Sequence, residues 1–206
     1  MRDSIWPLKN NYNHMKKVGV LGSGVVGRTL ADGFEKRGYE VMLGTGNPKK
    51  LLDWQSGANG KVGSFVKAAD FGDLIVLAVK GTAALTIVEQ VKVGISDKLV
   101  LDVTNPVSDE KTKDGVRKFF TSPQESLMEK LQELVPDAHF VKAFNYFDSK
   151  AMVNSAKSKQ QVMNICGNED GAKTEAKEVL AQFGFKSKDL GKVEAAREIE
   201  QMAISL

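Results

Sequence analysis

From Lys17 onward, short runs rich in Val, Ile and Leu alternate with longer stretches in which apolar positions recur every three or four residues. That pattern predicts strands joined by helices. Val18 to Leu21 reads as a strand, and Val25 to Lys36 as a helix stopped by Gly38. Tyr39 to Leu43 (YEVML) is a second strand, Pro48 to Trp54 a short helix, and Ser64 to Ala69 another helical turn or two. Leu74 to Val79 (LIVLAV) has no polar alternation, the pattern of a strand covered on both faces and so of a parallel sheet. Then come a helix at Ala83 to Val91, a strand at Leu99 to Val103, an amphipathic stretch at Ser126 to Leu134 and a strand at Phe140 to Ala143. The last third adds strands at Val162 to Cys166 and Phe185 to Leu190, with helices at Glu169 to Phe183 and Ala195 to Ile204. Strand and helix alternate throughout, which implies an α/β fold: an open, doubly wound, mostly parallel sheet with helices on both faces.

Two segments stand outside that rhythm. Residues 1–14 (MRDSIWPLKNNYNH) are polar, contain Pro7 and show no apolar period, so they read as a flexible N-terminal extension to a single domain at 15–206. Ser108 to Ser122 is polar and contains Gly115, which makes it the longest expected loop and a candidate lid.

Composition narrows the class. A chain of 206 residues is near the length of one domain, and 42% hydrophobic with 27% charged content argues against wholesale disorder and membrane spanning. A net charge of +3 with interspersed signs announces no nucleic-acid surface. The single cysteine, Cys166, can form neither an internal disulfide nor a cysteine-based metal site, which fits a reducing, cytoplasmic setting.

The sharpest chemical signal is Gly22-Ser23-Gly24-Val25-Val26-Gly27, set between an expected strand and an expected helix. That is the context the dinucleotide fingerprint requires. Gly22 allows the tight turn, Gly24 leaves room for a pyrophosphate against the backbone, and Gly27 lets the helix pack close to the sheet. The amides of the helix N-terminus attract the phosphates. At the end of the second strand, NAD enzymes place an Asp or Glu on the ribose hydroxyls. Here the chain reads Leu43-Gly44-Thr45-Gly46-Asn47-Pro48-Lys49-Lys50; Glu40 comes too early and Asp53 too late. Thr45 and Asn47 as donors, with Lys49 and Lys50 as charges, suit a 2′-phosphate and favour NADP(H), although the two lysines taken alone suit a solvated helix start better.

Little else in the chain speaks for acid–base chemistry. Of two histidines, His14 lies in the extension and His139 just before a strand, so neither a histidine relay nor a metal site is expected. Cys166 lies inside an apolar strand, where a buried inert thiol is the usual outcome. Tyr146 and Lys150 have the spacing of the short-chain dehydrogenase pair, but Tyr146 follows a strand directly and Glu133 stands where the partner serine belongs. Asp102-Val103-Thr104-Asn105-Pro106 and Val141-Lys142-Ala143-Phe144-Asn145 end two strands at the edge where open α/β sheets bind ligands. Asn105 and Asn145 offer amides for a carboxamide or ring edge, and Pro106 stiffens the turn. Such a pocket suits hydride transfer between two cofactors, where the rings carry the redox chemistry and the protein supplies position.

The segments GVLGSGVVGRTLADGFEKRGYEVMLGTGNP, DLIVLAV, LDVTNP and VKAFN, in that order, resemble the NADP-dependent coenzyme F-420 oxidoreductase family. The six-transmembrane ferric reductases carry a related cytosolic domain. The resemblance spans roughly Lys16 to the C-terminus and implies a Rossmann-type domain that binds NADP(H) and passes hydride to a deazaflavin or flavin, usually as a homodimer. It places Ser23, Gly24, Val25 and Val26 on the pyrophosphate, Thr45 and Lys50 on the 2′-phosphate, and Val79, Asn105 and Ala143 beside the nicotinamide. Gly46 occupies the position where relatives commonly have Arg, so a bidentate phosphate contact is missing and NADP preference weakens. A small-molecule hydride acceptor is the expected partner. The alternative is a nicotinamide-binding sensor or regulatory subunit that turns nothing over.

Overall fold

The computed structural model describes residues 16–51, 54–55, 59–111, 117–153 and 161–205. The N-terminal extension lies outside them, as does Asp53. The strands Lys17–Leu21 (β1), Glu40–Gly44 (β2), Lys61–Gly63 (β3), Leu74–Leu77 (β4), Leu99–Asp102 (β5) and His139–Lys142 (β8) form one sheet in the order β3-β2-β1-β4-β5-β8. Every pairing in it is parallel. All four residues of β4 are buried, as its unbroken apolar run requires of a strand covered on both faces, and so are all four of β5, Asp102 included. Each large aliphatic side chain so enclosed contributes about 2 kcal/mol of transfer free energy.

Helices cover both faces, giving the doubly wound Rossmann-type architecture. On one face Val25–Glu35 (α1) and Asp170–Gln182 (α6) bury Leu30, Phe34, Ala176 and Leu180. Edge-on aromatic contacts link Phe34 to Phe183 at 4.9 Å, Phe183 to Phe144 at 5.5 Å and Phe144 to Phe185 at 5.8 Å. On the other face lie Phe65–Phe71 (α2), Gly81–Ile95 (α3), Leu127–Leu134 (α4) and Ala196–Gln201 (α7), which bury Ala68, Val88, Leu131 and Ile199. A short helix, Ser149–Val153 (α5), packs against α1.

Several elements differ from the sequence reading. The strand expected over 74–79 ends at Leu77, because Ala78 and Val79 turn into the crevice ahead of α3. Within the segment expected as the longest loop, Val107–Lys111 (β6) and Arg117–Phe119 (β7) form an antiparallel hairpin. Its sequences, VSDEK and RKF, carry no run of apolar residues, so periodicity missed them. Val162–Ile165 (β9) and Lys186–Asp189 (β10) do not extend the central sheet. They pair with each other in parallel and touch it through an antiparallel bridge between Lys142 and Cys166. Strand β10 (KSKD) is too polar for a central position. Of the helix expected over Pro48 to Trp54, Pro48–Leu51 is a 3-10 turn and 52–53 lie outside the described residues; the C-terminal helix is α7 flanked by 3-10 turns at Val193–Ala195 and Met202–Ser205.

Candidate functional site

Strand order reverses between β1 and β4, so the segments leaving their C-terminal ends diverge and open a crevice. The glycine-rich turn fills one side of it, and its three glycines have three different reasons. Gly22 has φ +130°, and a Cβ there would lie 2.2 Å from the carbonyl oxygen of Ala78. Gly27, on α1, would bring a Cβ within 2.0 Å of the Gly22 carbonyl oxygen. Both are demanded by the fold. Gly24 has φ −71° and ψ −178°, extended backbone open to any residue, and a Cβ on it would meet no atom within 4 Å. Neither the backbone nor the packing needs a glycine at 24; only a ligand in that space would. Gly24 is also the N-cap of α1 and brings no side chain to its first-turn amides.

The turn residues Gly22 to Val26 wall a cleft of about 610 Å³ together with Thr45 and Gly46 at the end of β2, Phe65 of α2, and Val79, Lys80 and Val103. A second cleft of about 420 Å³ shares Val79, Lys80 and Val103 with it and continues past Thr104 and Asn105 to Ser108 and Asp109 of the hairpin. Lys80 and Asp109 form an exposed ion pair at 3.2 Å there. At the β2 end, the hydroxyls of Ser23 and Thr45 lie 3.0 Å apart, and Thr45 accepts the Asn47 N–H at 3.1 Å. Glu40, the carboxylate nearest in sequence, pairs with Lys61 at 3.2 Å at the opposite end of β2. Lys49 is exposed beside Asn47, and Lys50 follows in the 3-10 turn.

Among the residues singled out from sequence, Gly22, Ser23, Gly24, Val25, Val26, Thr45, Val79 and Asn105 line these two adjoining clefts. Gly27, Pro106, Ala143 and Asn145 stand behind it, all buried. The two asparagine amides, expected to face a ligand, largely face each other. Asn105 Nδ2 donates to the Asn145 carbonyl at 2.6 Å, and Asn145 Nδ2 donates to Asn105 Oδ1 at 2.8 Å and to the Ile199 carbonyl at 3.2 Å. Asn105 thereby becomes a fixed edge of the cleft, with Asn145 as its brace. The Tyr146 hydroxyl accepts the Asn164 N–H at 2.6 Å and donates to the Val162 carbonyl at 3.4 Å, so it ties β9 in place. Burial pushes the Cys166 thiol up to about 12, which keeps it protonated and inert.

Beneath the second cleft lies a group of charges that the sequence reading missed. Lys142 is fully buried, with Nζ at 2.6 Å from Asp102 Oδ2, 2.8 Å from Glu200 Oε1 and 3.0 Å from the Thr104 carbonyl. Burial alone would pull its pKa down, but the two carboxylates outweigh that and hold it above the ordinary lysine range. Strand register pairs Asp102 directly with Lys142, so a lone charge ending each of two apolar runs was the available signal. Phe65 and Lys80 were missed as well, since only the packing of α2 and α3 brings them to the crevice.

A doubly wound sheet with a glycine turn at its switch point defines a dinucleotide-binding protein. Comparison with known proteins places it further. Residues 17–106 match the family described as NADP oxidoreductase, coenzyme F420-dependent. The chain is 28% identical over 193 residues to Metalloreductase STEAP3 of Rattus norvegicus, an alignment covering 92% of this chain and 37% of that protein. It therefore spans well under half the length of that relative. Among solved structures, an Arthrobacter sp. FB24 protein described as an F420-dependent NADP-reductase superposes with TM-score 0.85 at 27% identity, over 92% of this chain and 90% of the other. An imine reductase of Streptomyces aurantiacus shares the fold, with TM-score 0.69 at 14% identity over 92% of this chain and 61% of its own. The N-terminal part of the chain is thus similar to the NADP oxidoreductases of the coenzyme F-420-dependent family, and the similarity to the metalloreductase runs along most of the chain.

Proposed function

We propose that this chain binds NADP(H) in the first cleft and passes hydride between it and a flavin or deazaflavin held in the second. The observation that carries this reading is that the two clefts adjoin at Val79, Lys80 and Val103, which line both and so set the phosphate turn and the Asn105 edge side by side. The space beside Gly24 and the uncapped start of α1 fit a pyrophosphate. Ser23, Thr45 and Asn47 fit the adenosine end, with Lys49 and Lys50 nearby in the chain supplying charge for a 2′-phosphate.

NADPH bound there supplies a hydride, two electrons with one proton, and the reduced acceptor takes any further proton from water. The chain's own residues have the simpler task of position and exclusion. Val79 and Val103 give the junction of the clefts apolar walls, which keep water from the transfer path. Asn105, braced by Asn145, fixes the far edge. No acid or base is required of them. The proposal carries with it a small-molecule acceptor and a homodimer, the latter checked by light scattering. Among the described residues, no helix is long and apolar enough to cross a membrane.

The test is anaerobic loss of nicotinamide absorbance, with NADPH and then NADH, against free flavins, coenzyme F-420 and ferric chelates. Turnover with a flavin or with coenzyme F-420 supports the proposal. Saturable NADPH binding with no turnover would replace it by the sensor reading, and turnover with ferric chelates alone would replace the acceptor.

A further inference from the structure

The buried charges under the second cleft connect it to the far end of the chain. Asp102 Oδ1 accepts the Thr104 N–H at 2.9 Å and the Thr104 hydroxyl at 2.6 Å, while Lys142 takes the Thr104 carbonyl. Every polar group of Thr104, the residue before Asn105, is therefore held by a charged side chain. Lys142 is anchored in turn by Glu200 of α7, whose two oxygens also accept the Leu127 and Met128 N–H groups at the start of α4, at 3.0 and 3.1 Å. A second, independent link runs from the Ile199 carbonyl of α7 through Asn145 to Asn105. Phe144, between the strand end and Asn145, has φ +62°. That conformation is costly for a bulky residue and is held by its contacts with Phe183 and Phe185.

Burying a lysine and two carboxylates is a poor way to gain stability, since desolvation offsets most of the attraction. What such a cluster does well is fix geometry. We infer that α7 is a positioning element for the hydride-transfer site, holding the Thr104–Asn105 edge through Glu200–Lys142 and through Ile199–Asn145. This rests on the function proposed above and adds to it that the site is completed by the C-terminal segment of the chain, well outside residues 17–106 that match the family.

Glu200→Gln weakens the first link and Asn145→Ala cuts the second. Arg197→Gln serves as the control: Arg197 lies on the same helix but pairs with Glu129, away from the Asn105 edge. The readouts are kcat and KM for NADPH oxidation, thermal midpoint, and affinity for NADPH and for 2′,5′-ADP, a probe of the phosphate end alone. Glu200→Gln and Asn145→Ala are each expected to lower kcat/KM about tenfold. NADPH affinity falls with it, while 2′,5′-ADP affinity stays within about twofold of wild type. Arg197→Gln lowers the midpoint and leaves kcat/KM unchanged. Wild-type kcat/KM and NADPH affinity in both link variants, or a loss that merely follows the midpoint in all three, would overturn the inference. If Glu200→Gln does not fold, Asn145→Ala decides alone, since it leaves the ion cluster intact. Wild type without turnover would instead refute the proposed function, and the ratio of NADPH to 2′,5′-ADP affinity would still decide the role of α7.

Discussion

At the scale of single residues, the glycines of one motif separate into those the fold needs and the one a ligand needs. Gly22 and Gly27 meet backbone atoms, whereas Gly24 meets open space. The motif was legible in the sequence because each role is local, a matter of one turn and the next helix. Gly46 is a second informative position. A Cβ there would lie 3.8 Å from Phe65 Cε2, an ordinary contact, and its backbone does not demand glycine. Gly46→Arg should therefore fold normally and add a guanidinium beside the 2′-phosphate. The expected result is a rise of about tenfold or more in the ratio of NADPH to NADH efficiency. Steady-state kinetics with both nucleotides checks it, and an unchanged ratio would place the 2′-phosphate elsewhere. The Lys142 cluster, by contrast, could not be assembled from the sequence, because Glu200 reaches it only through the packing of α7 against α4 and β9.

Among the elements, the long amphipathic helices were the most legible, whereas the five-residue α5 at Ser149–Val153 was not. Helix α4 was expected from its amphipathic pattern, and it begins with a reciprocal cap: Ser126 Oγ accepts the Glu129 N–H at 3.1 Å while Glu129 Oε2 accepts the Ser126 N–H at 2.7 Å. Removing such a cap costs about 1 kcal/mol. The three-residue β3 and the polar hairpin β6–β7 went unread, since both are specified by their neighbours rather than by their own periodicity. Glu129 joins α4 to α7 through Arg197 and carries a pH dependence. Burial raises its pKa, but hydrogen bonds from Arg197 and Ser126 outweigh burial and leave it below the ordinary 4.5. The folded state thus binds this proton less readily than the unfolded chain does. Its stabilisation is complete above pH 4.5 and is lost as pH falls through the lower folded value. Urea midpoints of wild type and Glu129→Gln should differ at pH 7 and converge as pH falls through the lowered folded value. A gap that persists undiminished into acid would show that the Glu129 charge is not what joins the two helices.

For the whole molecule, the order β3-β2-β1-β4-β5-β8 puts a crevice between β1 and β4. Parallel pairing was legible because strands buried on both faces leave unbroken apolar runs. The detachment of β9 and β10 was not, since Val162 to Ile165 looks like any half-buried strand. A ligand that binds only the folded chain raises its stability: at 100 times its Kd the gain is about 2.7 kcal/mol, and a tenfold weaker affinity cuts that to about 1.4 kcal/mol. For a chain of this size each kcal/mol moves the melting midpoint by about 2–4 °C. The most direct measurement is therefore the midpoint of wild type and Gly24→Ala, with and without NADPH. Binding at the turn predicts equal midpoints for the two proteins alone, a rise of roughly 5–10 °C for wild type with NADPH, and about half that rise or less for Gly24→Ala. Equal rises in both proteins, or no rise in wild type, would contradict it.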